Sequence, residues 1–144
     1  MSNVERATIT FRDGFNCSQA VFAALAPGLG LDRETALRVA GPFGGGTARM
    51  GLICGAASGG LMALGLKYSQ TRAEDKEAKE RMYALAREFM ERFKARNGAV
   101  LCRELLGYQV GIPEQLQIAK DKGLFDSLCP GLVVAAVEIA EQFL

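Results

Sequence analysis

Between Arg49 and Lys67 the chain runs for 17 residues without a charge, MGLICGAASGGLMALGL. A segment of this kind has to leave water, yet it is short for a membrane span, which takes about 20 predominantly apolar residues. Its glycine and alanine content and its lack of aromatic anchors favour a buried central helix over a span. Gly51, Gly55 and Gly59 recur every four residues and would share one face of that helix. Each glycine costs a helix interior roughly 0.5–1 kcal/mol relative to alanine. Something must therefore approach the backbone closely there, either another helix or a cofactor beside Cys54.

The remaining signals are helical too. From about Thr71 to Arg96, the residues Ala78, Met82, Leu85, Ala86, Phe89 and Phe93 follow three-four spacing, and Asn97-Gly98 supplies a stop. Pro130 suits a first turn, with Leu132, Ala136, Ile139 and Phe143 as the stripe of a last helix. Arg6 to Phe11 reads as a short helix ended by Asp13-Gly14. Asn16 with Gln19 makes a capping box for a helix that buries Val21, Phe22 and Leu25 and closes at Pro27-Gly28. Asp32 caps Arg33 to Ala40, and Gly41-Pro-Phe-Gly-Gly-Gly46 is a loop before the central helix. Leu101 to Leu106 and Pro113 to Lys120 complete the set. No alternating strand pattern, repeat or linker interrupts it. The expectation is an all-α fold: one multi-helix domain over residues 1–144 with a glycine-rich buried central helix.

Composition then narrows the chemistry. Seventeen Lys and Arg against 16 Asp and Glu leave a net charge of +1, no footprint for nucleic acid or an anionic membrane. The start, MSNVERATITFRDG, lacks a basic segment followed by an apolar one, so a cytoplasmic protein is expected, where persistent disulfides are uncommon. The chain has no histidine, which removes Ser-His-Asp and Cys-His mechanisms and every His-ligated metal site. Four cysteines are the reactive inventory that remains.

Cys17 follows the cap Asn16 and falls in the first turn of a helix, where N–H groups and the helix dipole favour a thiolate. Cys102 starts the short segment Cys-Arg-Glu-Leu-Leu-Gly107, and Cys129, directly before Pro130, takes an N-cap position. Cys54 stands between Gly51 and Gly55 in the uncharged run. The competing account of each is a small core residue, since free cysteine is often buried. No Cys-x-x-Cys occurs, so only the fold can bring these thiols together, and the sequence allows three pairings.

Taken together, these residues resemble the C_GCAxxG_C_C family, whose label describes four cysteines, the second inside a short glycine-bounded signature. Here the signature reads Cys54-Gly55-Ala56-Ala57-Ser58-Gly59, with Cys and Gly in the reverse of the label's order. Gly14-Phe-Asn-Cys17-Ser-Gln-Ala-Val21, Cys102-Arg-Glu-Leu-Leu-Gly107 and Cys129 match the other three, and Phe43-Gly-Gly-Gly46 and Leu61-Met-Ala-Leu-Gly65 look familial as well. The resemblance spans roughly residue 5 to the C-terminus and implies a redox role, itself inferred from the cysteines.

Three functions compete. The first is dithiol–disulfide chemistry, with Cys54 and Cys17 as the expected pair and Cys102 with Cys129 as a second, served by an unidentified redox partner. The second is a metal or iron–sulfur site ligated by Cys17, Cys54, Cys102 and Cys129, although closely spaced ligand pairs are missing. In either, Gly55 and Gly59 are candidates for contact with a cofactor. The third is a helical module in which the glycine-rich helix serves a partner or a homodimer. Gly41 to Gly46 is not a phosphate loop, because no Gly-Lys-Ser/Thr follows it. Glu74, Asp75, Glu77 and Glu80 read as a solvated face, and Ser58 has no histidine to activate it.

Overall fold

Side chains able to cap a helix stand where helices begin. In the computed structural model, which describes residues 1–144, Ser2, Asn16, Asp32 and Asp75 each accept a backbone N–H from the third residue onward. The helices are α1 (Asn3–Arg12), α2 (Cys17–Leu25), α3 (Arg33–Ala40), α4 (Gly55–Tyr68), α5 (Lys76–Asn97), α6 (Cys102–Leu106), α7 (Pro113–Asp121), α8 (Leu124–Ser127) and α9 (Cys129–Glu141). Short 3-10 turns follow α2 at Ala26–Leu29 and α3 at Gly41–Phe43. Gly98, with φ +91°, ends α5 as the Asn97-Gly98 signal requires.

The all-α expectation holds. Several boundaries differ, each for a local reason. The long helix begins at Lys76 rather than near Thr71, because Asp75 caps it. The central helix begins at Gly55, not at the start of the uncharged run. Ahead of it, Gly51 has φ +73°, and Ile53 pairs with Leu101 in a short antiparallel bridge. Gly51 therefore does not share a helix face with Gly55 and Gly59. The helix α8 carries no capping side chain, so no local signal in the sequence marks it.

The helices α2, α4 and α9 pack on one another at the centre, with α1, α3 and α5 around them. From Ala20 to Leu25 every residue of α2 is buried, and α4 buries Gly55, Ala56, Ala57, Gly59, Gly60, Ala63 and Leu64. The long α5 is polar outside and inserts Phe89 and Phe93, both fully buried, with ring centroids 6.4 Å apart. Small residues set the spacing. A Cβ at Gly59 would lie 2.7 Å from the carbonyl oxygen of Ser18 and 3.0 Å from Val21 Cβ, so α2 and α4 meet backbone to backbone. No single helix is long and apolar enough to cross a membrane.

This close approach predicts opposite outcomes for two Gly→Ala substitutions. Gly59→Ala pushes a methyl group into the α2 backbone and should destabilise by about 1–3 kcal/mol, as overpacking does. Gly131→Ala in α9, where a Cβ meets nothing within 4 Å, should be neutral or stabilise by up to about 1 kcal/mol. Urea midpoints of the two variants check the pair.

Candidate functional site

Asn16 builds the start of α2 with a reciprocal cap. Its Oδ1 accepts the N–H of Gln19 at 2.9 Å, while Gln19 Oε1 accepts the N–H of Asn16 at 3.0 Å. The amide nitrogens left over reach outward, Asn16 Nδ2 donating to Gly41 O at 2.9 Å and Gln19 Nε2 to Leu37 O at 3.0 Å. One capping box thus fixes the first helical residue, Cys17, against the end of α3 and the loop that follows.

That loop turns the wrong way for L-residues. Gly45, Gly46, Thr47, Ala48 and Arg49 have φ of +65°, +69°, +64°, +48° and +61° in succession. Its hydrogen bonds include Ala48 N–H to Pro42 O at 2.8 Å and Leu52 N–H to Gly46 O at 2.9 Å. The left-handed region costs each of the three non-glycine residues roughly 1–2 kcal/mol. No side chain fits at Gly44, where a Cβ would lie 2.6 Å from Asn16 Nδ2, or at Gly46, where it would lie 2.7 Å from Cys102 Cβ. The result is that Gly45 presents its N–H to the Cys17 sulfur.

Beyond the loop, backbone pairing joins two further cysteines. Cys54 N–H donates to Val100 O at 2.8 Å, and Cys102 N–H donates to Leu52 O at 2.6 Å. Cys54 becomes the N-cap of α4 and Cys102 the first residue of α6. Cys129 is the first residue of α9 rather than its N-cap. Leu128, already right-handed helical, leads into α9 from α8 and takes the N-cap position. All four cysteines therefore stand at helix starts, and all four are free thiols.

Their acidities diverge. Cys17, half-buried, is lowered from 9.0 to about 7. The largest cause is a hydrogen bond from the Cys54 thiol, assisted by the N–H groups of Gly45 and Ser18 against the effect of burial. Cys54, buried, is raised well above the ordinary thiol value. Giving its proton to the bond with Cys17 is the first cause, followed by burial and the Cys17 charge. Burial, reinforced by that same charge, raises Cys102 to about 11; Cys129 rises to about 12, with Cys102 and Asp126 adding to these causes.

A cleft of about 510 Å³ opens over this arrangement, and Cys17, Cys54, Cys102 and Cys129 all line it. Residues 15–143 match the family described as "Putative redox-active protein (C_GCAxxG_C_C)". The chain belongs to this family. The matched span holds every cysteine of this C_GCAxxG_C_C protein. Comparison with curated proteins and with solved structures finds no significant match.

The fold gathers all four expected cysteines at one cleft. Cys17 packs against the core cluster that contains Cys54, and Cys102 shares a small buried cluster with Cys129, Leu106 and Val110. Gly55 lines the cleft and has no room for a side chain, since a Cβ there would lie 2.5 Å from Cys17 Sγ. Gly59 faces α2 instead, so its closeness serves helix packing. No group of three or more Cys, Asp or Glu side chains converges as a metal-ligand set, so the four-cysteine ligand reading finds no donor geometry in this arrangement. Arg49 and the left-handed loop were missed as site elements, because a glycine run without a phosphate-loop lysine reads as a mere connection.

The acidity of Cys17 predicts a pH profile. Only thiolate alkylates, so the rate at Cys17 should rise with pH through a midpoint near 7. Cys54→Ala removes the donated bond and should shift the midpoint upward, slowing alkylation at pH 6 about tenfold, the worth of one hydrogen bond to a charged group. Cys54→Ser, which keeps a donor, should lie between. Iodoacetamide labelling followed by peptide mass spectrometry reads all three.

Proposed function

We propose that this protein is a thiol–disulfide redox protein in which Cys17 is the attacking thiol and Cys54 resolves the mixed disulfide. The observation that carries the reading is that Cys17 and Cys54 line one cleft where α2 and α4 meet so closely that a Cβ at Gly55 would lie 2.5 Å from Cys17 Sγ, with the two thiols pushed to opposed acidity. Nucleophilic sulfur has to be ionised and reachable, and Cys17 is the cysteine that is both half-buried and lowered toward neutrality.

The step balances as an exchange. Cys17 thiolate attacks one sulfur of a disulfide substrate, the S–S bond breaks, and one thiolate leaves. The mixed disulfide on Cys17 carries no charge and accepts no strong hydrogen bond. Two of the three causes that hold the Cys54 proton are then gone, and burial alone remains. Cys54 loses its proton, attacks Cys17 Sγ and expels the second thiolate. The substrate gains two electrons and the protein gains a Cys17–Cys54 disulfide. Cys102 and Cys129, kept protonated by burial, form the second dithiol of the cleft and oxidise later. An external thiol restores the reduced protein. The reading suits a reducing compartment such as the cytoplasm.

Limiting oxidant should place the first disulfide between Cys17 and Cys54 while Cys102 and Cys129 stay open to alkylation in denaturant. Cys17→Ser should abolish formation of that first disulfide, and Cys54→Ala should accumulate the mixed disulfide on Cys17. Peptide mapping of the oxidised protein decides. A first disulfide that leaves out Cys17, or a mixed disulfide that does not persist in Cys54→Ala, overturns the assignment.

A further inference from the structure

The cleft over Cys17 is apolar on most of its wall, with Phe11, Leu105, Phe125 and Leu132 among the lining side chains. Its volume of about 510 Å³ lies in the range of small-molecule sites. One charged side chain lines it, that of Arg49. The ion pairs of the chain are Arg72–Glu74, Arg92–Glu88 and Arg96–Glu138, so the Arg49 guanidinium enters none of them. Asp126 borders an adjoining hollow with Arg49 without pairing to it.

The position of Arg49 is costly. It is the last of the five left-handed residues, and its carbonyl is closely backed: a Cβ at Gly111 would lie 2.8 Å from Arg49 O. Strain of this kind persists only where the surroundings enforce it. Here it places an unpaired, fork-shaped cation at an apolar cleft whose wall carries Cys17.

Resting on the dithiol reading above, we propose that the cleft takes a low-molecular-weight disulfide with an apolar body of aromatic size and a carboxylate group. Arg49 binds the carboxylate while Cys17 attacks the disulfide. The exchange balances as before: one substrate S–S bond breaks, a Cys17–sulfur bond forms, and Cys54 then closes the intramolecular disulfide as the second thiolate leaves. Arg49 takes no part in bond making. It is a specificity residue, and its removal should alter the choice between disulfides rather than the acidity of Cys17.

Two aromatic disulfides test this in single-turnover kinetics of the reduced, full-length protein at pH 7. Dithiobis-nitrobenzoate carries carboxylates, and dithiodipyridine is uncharged. Arg49→Ala should slow the reaction with the first about tenfold, the worth of a charge-assisted hydrogen bond, while leaving the second within about twofold. Arg49→Lys, which keeps charge without the fork, should recover part of the loss. Equal slowing with both disulfides, or no change with either, overturns the role of Arg49 while the dithiol reading stands. If wild type reacts with dithiodipyridine no faster than free cysteine does, and Cys17→Ser changes nothing, the dithiol reading fails and the substrate proposal with it.

Discussion

Two glycines one helical turn apart, Gly55 and Gly59, let α4 lie against the backbone of α2, and the candidate site depends on that approach. At Gly59 the neighbour is the Ser18 carbonyl, which cannot swing aside as a side chain can. At Gly55 it is the Cys17 sulfur itself. A methyl group at either place would force α2 and α4 apart, and at Gly55 it would do so directly against the Cys17 sulfur. The favourable return is dispersion and burial spread over α2, α4 and α9, which supply most of the core. The intrinsic cost of glycine in a helix is thus spent on juxtaposing Cys17 with Cys54.

A chain without histidine has to stabilise a thiolate by other means. It uses the partner thiol and backbone N–H groups, and backbone donors are only as useful as the fold that aims them. The capping box of Asn16 and Gln19 orients the first turn of α2 and, with its spare amide nitrogens, ties that turn to Leu37 and Gly41. The loop from Gly44 to Leu52 then brings the Gly45 N–H to the sulfur, at the expense of three strained residues. Side chain, cap and strained loop belong to one construction, since a Cβ at Gly44 would collide with the capping asparagine.

Much of this was readable in the sequence because it is local. Asn16 with Gln19, Asp32 with Thr35, and Asn97-Gly98 act within four residues, and each marks a helix end where the reading placed it. Helix-start chemistry and the glycines of α4 pointed to some helix-start cysteine beside Cys54, but Cys17, Cys102 and Cys129 all met that description, so the choice of Cys17 rested on preference. What escaped depends on long-range partners. Ile53 leaves the helical pattern because Leu101 pairs with it, and Gly51 takes a positive φ in a loop that no short-range periodicity describes. Arg49 carries no sequence signal that sets it apart, because only the fold brings this exposed side chain to the apolar cleft. Leu128 continues α8 into α9 and so displaces Cys129 from the cap, which the Cys129-Pro130 dipeptide alone does not reveal.

The magnitudes decide what the acidity of Cys17 is good for. At pH 7 a thiol lowered from 9.0 to about 7 is half ionised rather than about one part in a hundred, a gain of roughly 50-fold in thiolate. Intrinsic nucleophilicity falls with basicity, and a Brønsted slope near 0.5 returns about tenfold of that over two pH units. The net advantage is about fivefold for attack, with a larger benefit when Cys17 is the leaving group, since a more acidic thiol leaves faster. The effect on equilibrium is smaller. Ionisation at pH 7 stabilises the reduced form by less than about 1 kcal/mol, because only the excess over the ordinary thiol's ionisation counts. The sign favours the dithiol and would make the proposed Cys17–Cys54 disulfide slightly more oxidising, so the arrangement would act chiefly on rate. Under the proposed exchange the asymmetry of the pair follows the same logic: the half-buried thiol would be ionised for the first attack, and the buried one held protonated until the charge on its neighbour has gone.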